Sequence, residues 1–386
     1  MNIKRTIRTA QSRATDARLA VQEFYVEVQQ PDMELVIFFC SSHYNLDVLA
    51  DEMRRLFPDV NVVGCTTAGE IGPAGYCDCS LSGASFSSVH FTAVCGLIDR
   101  LQEFNIARGQ VFANTLLRRI EDRAPNSETK DCLAFLMIDG MSVREEPVVR
   151  TFQNVLGKVP LVGGSAGDDL SFADTWVFHD GAFHNDSAVL LILATTLPFR
   201  VFKTQHFVSD NERLVVTEAD PALRIVKEIN GLPATTEYAR LVGSTVAELG
   251  SQSFANSPVV VTIDGTDFVR SIQRANADGS LTFFCAIEEG LVLRVAHGND
   301  LMGNLTKTFE TISVEIGPPL AVLACDCILR NLEITQGGMK EGVGNLFRQN
   351  NVVGFSTYGE QYGGVHINQT LTGIAFGAPR DKSNDA

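Results

Sequence analysis

Short uninterrupted apolar runs alternate along this chain with segments whose apolar residues recur every three or four positions, the two signatures of buried strands and amphipathic helices. Glu34 to Cys40 (ELVIFFC) is such a run, and Asn45 to Phe57 then spaces its apolar residues for a helix that Pro58 stops. Asn61 to Gly64 predicts a second buried strand entering the glycine-rich turn TTAGE, and alternation from Cys79 to Val94 predicts two more strands. The outline recurs with a strand at Cys132 to Ile138, a helix at Arg144 to Leu156, and a strand at Val159 to Val162 leading into GGSAGDD. Asp180-Gly181 is a two-residue hairpin turn between alternating strands. Beyond Val201, Val226 to Leu241 reads as a strand end, a turn at Pro233 and a helix. Val259 to Ile263, Phe268 to Ile272, Leu281 to Cys285 and Leu291 to His297 read as short antiparallel strands broken by Asp-Gly turns. A helix over Asn299 to Val314, a strand over Ala321 to Cys325, a helix over Gln336 to Phe347 and a strand over Val352 to Phe355 complete the pattern.

Part of the pattern is a literal duplication. Leu56 to Phe86 aligns without a gap on Leu346 to Phe376, with 12 of 31 positions identical. Copies so far apart are not a solenoid repeat. They predict an α/β chain of two related mixed-sheet domains, and related halves tend to enclose a ligand where they meet. The expected division is a lead helix over 1–30, domains over 31–200 and 201–380, and a tail over 381–386.

Composition narrows the function. A net charge of −15 argues against nucleic acid, which needs a concentrated basic surface. The first twenty residues lack the apolar stretch of an export signal, and no run of 18 apolar residues predicts a membrane span. Nine cysteines, several inside apolar runs, fit reduced thiols, so the expected location is cytoplasmic.

The duplicated loop is G-x-[ST]-T-x-G-E, which places backbone N–H groups and a carboxylate at the carboxyl ends of strands, where open α/β sheets bind ligands. One reading is a pocket built from Thr67, Gly69, Glu70, Thr357, Gly359 and Glu360; the other is a tight turn whose glutamate satisfies buried amides. Nucleotide fingerprints are absent. Gly163-Gly164-Ser165-Ala166-Gly167 fits a nucleophile elbow, but no helix pattern follows it. Cys65 stands at a strand-to-loop junction where a thiolate could act, although its counterpart Phe355 marks an apolar slot. Cys77-Asp78-Cys79 and Cys325-Asp326-Cys327 lack the usual zinc spacing. Among the seven histidines, His366 lies inside the duplicated unit opposite Tyr76, and both residue types can ligate haem iron.

The motifs VVGCTTAGEIGPAGY (62–76), LVGGSAGDD (161–169), INGLPATTEYARLVG (229–243), GFSTYGEQ (354–361) and HINQTLTG (366–373) together resemble FIST-domain sensory proteins. The resemblance covers Glu34 to Phe376. It implies a small-ligand sensor in bacterial signalling, with an N-terminal and a C-terminal part and no enzymatic role. Within that family the length is similar to the NosP-type nitric-oxide-sensing haemoproteins. That likeness implies non-covalent haem b, nitric oxide as the signal, and a partner histidine kinase controlling biofilm or cyclic-di-GMP output. It does not supply the iron ligand; His366 is the leading candidate because it sits in the duplicated loop, with His43 and His184 as further candidates and Tyr76 at the matching position of the other copy. The alternative is a haem-free module for a small metabolite such as an amino acid.

Overall fold

A computed structural model describes residues 6–263 and 265–379. Its architecture is mixed α/β, and the unit that sequence identity reveals twice is built three times. Each copy runs strand, helix, strand, helix, strand, hairpin, strand. The first comprises Ile7–Ser12, Ala17–Val28, Met33–Ser41, Leu46–Leu56, Asn61–Thr67, the hairpin Glu70–Gly72/Gly75–Cys77, and Leu81–Ser87. The second spans Phe91–Ile98 to Ala188–Thr195, with central strands Cys132–Ile138 and Leu161–Ser165 and hairpin Val177–His179/Ala182–His184. The third opens at Phe199–Thr204 and ends at Leu371–Phe376, with central strands Ala321–Cys327 and Val352–Thr357 and hairpin Glu360–Tyr362/Val365–Ile367. Within each unit the two central strands pair in parallel.

Each unit gives its hairpin away. Glu70–Gly72 pairs with Val352–Thr357 of the third unit, Val177–His179 with Asn61–Thr67 of the first, and Glu360–Tyr362 with Leu161–Ser165 of the second. The exchange is cyclic, so three six-stranded sheets close around one core. Their inner faces contribute Phe39, Phe135 and Phe355, and at another level Phe86, Phe91 and Phe376, one ring per unit in each set. Phe39 and Phe355 stack at 4.6 Å. Phe86, Phe91 and Phe376 meet edge to face at 5.1–5.9 Å. Burying each ring contributes about 1.5–3 kcal/mol. The helices cover the outer faces and form a separate apolar layer on each sheet. Their starts follow the sequence: Asn45 Oδ1 accepts the Val48 N–H at 3.1 Å, and Asp300 Oδ1 accepts that of Gly303 at 2.9 Å.

Residues 207–298 form a second body, a nine-stranded antiparallel sheet inserted between the first strand and first helix of the third unit. The division expected at residue 200 therefore falls beside the strand that opens the third unit, not between two closed halves. Two expectations require correction. The N-terminal segment is not one lead helix: Ile7–Ser12 is an edge strand paired with Leu81–Ser87, and only Ala17–Val28 is helical. That edge strand carries only two apolar residues, Ile7 and Ala10, three positions apart, so no period-two alternation reveals it. The helix expected over Gln336–Phe347 begins only at Lys340 and runs to Gln349, after a separate helix Ile328–Gln336 and a break at Gly337-Gly338, where Gly338 has φ 65°. The expected tail lies outside the described residues.

Candidate functional site

The three loops that follow the second parallel strand of each unit meet in a closed ring of backbone hydrogen bonds. Ala68 N–H donates to Ser356 O at 3.0 Å and Ser356 N–H to Gly69 O at 2.7 Å. Ser165 N–H donates to Gly359 O at 2.9 Å, and Gly167 N–H to Thr66 O at 3.0 Å. The duplicated loop is thus where the units grip one another. Gly359 is required there because a Cβ would collide with the His366 ring.

Glu70 and Glu360 hold the base of this ring. Glu70 Oε2 accepts Ser80 N–H at 2.8 Å and Ser80 Oγ–H at 2.7 Å; Glu360 Oε2 accepts the same pair of donors from Thr370 at 3.0 and 2.6 Å. In the second unit Asp139 does the equivalent work, accepting the Asp186 N–H at 2.5 Å and the Thr175 hydroxyl. All three carboxyls are buried. Burial pushes Glu70 up to about 8 against the favourable hydrogen bonds from Thr67 and Ser80, and it raises Glu360 and Asp139 as well. Thr67 Oγ–H donates to Glu70 Oε1 at 2.5 Å, and the same oxygen lies 3.4 Å from Cys40 O. The structure places Thr67, Gly69, Glu70, Thr357 and Glu360 within the ring, fully enclosed or turned to their own chain, with Thr357 Oγ–H donating toward Ser165 O at 2.7 Å.

Above the ring lies the seam with the inserted sheet. Phe172 of the second unit, Tyr358 of the third and Phe284 of the insert pack together, with centroids 4.8–6.2 Å apart. The Tyr358 hydroxyl donates to Asp168, whose carboxylate also accepts N–H groups from Phe172, Ala173 and Asp174 at 2.8–3.0 Å. Phe172 has φ 50° and Asp169 φ 60°, a strained loop for side-chain-bearing residues. Beside it, Arg224 of the insert enters between Glu145 and Glu146 at 2.6 Å from each. Burial would raise Glu146, but Arg224 outweighs it, aided by the Ala286 N–H at 2.7 Å, and holds the group at about 2. His366 joins this cluster: Phe284 O lies 3.3 Å from its Nε2 and Gln361 Nε2 3.4 Å from its Nδ1. Burial lowers its pKa, so the ring is neutral near pH 7. The Arg270 guanidinium donates to the His366 carbonyl at 2.9 Å.

Sequence reasoning located His366 and the loops but not Glu145, Glu146, Arg224 or Tyr358 as a group. Glu145-Glu146 opening a helix after a strand was a visible signal; Arg224 had none.

The other candidates scatter. The Tyr76 hydroxyl is buried and donates to Asp326, which Arg330 Nε approaches at 2.9 Å. His43 is largely exposed and pairs with Asp169 at 2.9 Å. His184 sits on the second unit's hairpin, its Nε2 3.3 Å from His179 O. Ser165 and Cys65 are fully buried, and burial holds the Cys65 thiol well above its ordinary value. Each of the four haem-ligand candidates has a polar partner: His366 the Phe284 carbonyl and Gln361, Tyr76 Asp326, His43 Asp169, and His184 the His179 carbonyl. Among the described residues no group of three His, Cys, Asp or Glu is arranged to hold a metal ion. None of their helices is long and apolar enough to cross a membrane.

Comparison with known proteins gives one curated relative, the uncharacterized protein MJ1623 of Methanocaldococcus jannaschii, 26% identical over 216 residues, which are 54% of this chain and 40% of that protein. The chain therefore spans less than half of that relative's length. Among solved structures, cyanuric acid hydrolase from A. caulinodans covers 96% of this chain and 99% of its own at TM-score 0.36 and 8% identity. A second cyanuric acid hydrolase gives TM-score 0.37 at 10% identity with the same coverage. A chorismatase gives 0.35 at 6%, covering 96% and 97%. Likenesses this weak carry no argument here. The family comparison is decisive: residues 34–232 match the FIST N domain and 234–363 the FIST C domain, and the chain belongs to the FIST family of sensory modules.

Proposed function

We propose that this protein senses a small metabolite, an amino acid being the type case, at the seam between the loop ring and the inserted sheet, and reports its state to a partner protein. The supporting observation is the Glu145–Arg224–Glu146 triad, a buried ionic contact that joins the two bodies. Such a contact is stable when closed and dry and costly when half-broken, so it favours two discrete seatings of the insert. A ligand with different affinity for those seatings shifts their populations, and a partner that distinguishes them reads the signal. Sensing is preferred over catalysis because Ser165 is fully buried and its Oγ accepts the Gln361 Nε2 N–H at 3.1 Å, so the hydroxyl is enclosed and engaged rather than presented to a substrate.

The haem and nitric-oxide reading, with a histidine kinase as partner, is supported by a different place. A groove of about 490 Å³ at the amino end of the strand Asn61–Thr67 is lined by Met53, Phe57, Phe178, His179, Arg54 and Arg119. Burial lowers the pKa of His179, leaving a neutral imidazole beside an apolar wall and two guanidiniums.

Thermal shift with an amino-acid panel, run beside a haemin titration read by absorption, separates the two. Stabilisation by a panel member, lost in Phe284→Ala, is expected. A Soret band at one haem per chain, lost in His179→Ala and shifted by nitric oxide, with no response to the panel, would overturn the seam reading.

A further inference from the structure

Cys77 and Cys79 form a pair that the sensing seam does not use. Cys77 ends the first unit's hairpin, nearly buried, and its Sγ accepts two N–H groups of one guanidinium, Arg13 Nε at 3.1 Å and Nη2 at 2.9 Å. Among the described residues no carboxylate forms an ion pair with Arg13, so its charge is directed at the sulfur. A cation held against a thiol stabilises the thiolate, the form that reacts with electrophiles. Cys79 is the opposite kind of group. It is exposed, has φ 53°, and lies among Asp169, Glu70 and Asp78. Burial and those carboxylates raise its pKa and keep it a thiol at rest.

Two residues apart, the Cα atoms are separated by at most about 7 Å, at the outer limit for a disulfide. The left-handed turn at Cys79 takes it off the strand and allows the loop to close.

We propose that Cys77 and Cys79 are a peroxide-oxidisable dithiol, with Cys77 as the attacking thiolate, Arg13 as its positioning residue and Cys79 as the resolving thiol. The Cys77 thiolate attacks one oxygen of hydrogen peroxide, the O–O bond breaks, and the departing hydroxide takes a proton to leave as water, giving a Cys77 sulfenic acid. The Cys79 sulfur then attacks Cys77, expelling the hydroxyl, which leaves as a second water with the Cys79 proton. Two thiols and one peroxide become one disulfide and two waters, and a dithiol reverses the change. The oxidation reaches the loop ring directly. Cys77 lies opposite Glu70 in the hairpin, and the Ser80 N–H that Glu70 accepts follows Cys79 immediately.

The test uses the intact chain treated with stoichiometric hydrogen peroxide, then differential alkylation and peptide mass mapping. Expected is a loss of two hydrogens from the segment containing Cys77 and Cys79, reversed by dithiothreitol, with Cys65 and Cys95 still alkylated after unfolding. Cys79→Ser should stop at a dimedone-reactive Cys77. Arg13→Gln should slow oxidation about tenfold through loss of the two guanidinium N–H contacts to the sulfur, and Arg13→Lys should recover part of it. Oxidation confined to other cysteines, disulfides only between chains, or an unchanged rate in folded Arg13→Gln would overturn the proposal.

Discussion

Replacing Glu70 by Gln asks whether this residue serves as a neutral hydrogen-bonded buttress or as an ionised ligand group. Its folded pKa is raised from 4.5 to about 8. A raised pKa means that the folded state holds the proton more tightly, so the stability it contributes is complete below 4.5 and is lost as pH climbs to about 8. The linkage relation with those two values gives a loss of about 2–3 kcal/mol between roughly pH 5 and roughly pH 7. Gln copies the neutral acid: its oxygen can accept from Ser80 while its amide donates to Thr67. The variant should therefore lie within about 1 kcal/mol of wild type near pH 5. Its stability should then decline less toward pH 7, so that the two profiles diverge by about 2 kcal/mol. Urea unfolding followed by circular dichroism in matched buffers from pH 5 to 7 supplies the measurement. Parallel profiles would refute a buried neutral glutamate. A variant much weaker than wild type already at pH 5 would show that ionised Glu70 supports the fold.

Arg224→Met should remove about 3–5 kcal/mol by leaving Glu145 and Glu146 unpaired, and adding Glu145→Gln and Glu146→Gln should restore most of it in the same denaturation assay. Glu146, held at about 2 against an ordinary 4.5, gives stability present above pH 4.5 and lost as pH falls toward 2, and this acid-side loss should be smaller in Arg224→Met. Phe355→Ala should cost about 3–5 kcal/mol, measured by urea unfolding, because the ring stacks on Phe39 in the fully enclosed shared core. Gly64→Ala should cost about 1–3 kcal/mol because its Cβ would come within 2.5 Å of Phe38 O; thermal melting of the purified variant checks it.

Most individual elements were legible because their signals are local. The run Glu34 to Cys40 became the strand Met33–Ser41, Asn45 capped its helix, and Asp180-Gly181 made its hairpin with φ 54° and 78°. Duplication of the loop was legible as identity, and the second unit only as an outline, because GGSAGDD keeps the turn but loses the glutamate. Its carboxylate comes instead from Asp139, on another strand end, so no alignment of loops could show the equivalence. For the ligand question the sequence located the loops at the carboxyl ends of strands. The structure turned their carboxyls inward and placed a charged cluster at the seam above them.

The sequence by itself determined most of the central strands and the helices with clear caps, and that one unit had been copied. Only the tertiary structure decided that there are three units, that each lends its hairpin to a neighbour, and that Arg224 meets Glu145 across 79 residues. The physical reason is range: periodicity and capping act over a few residues of backbone. A strand's partner, and the counter-charge of a buried side chain, are chosen by which surfaces the packed sheets bring together.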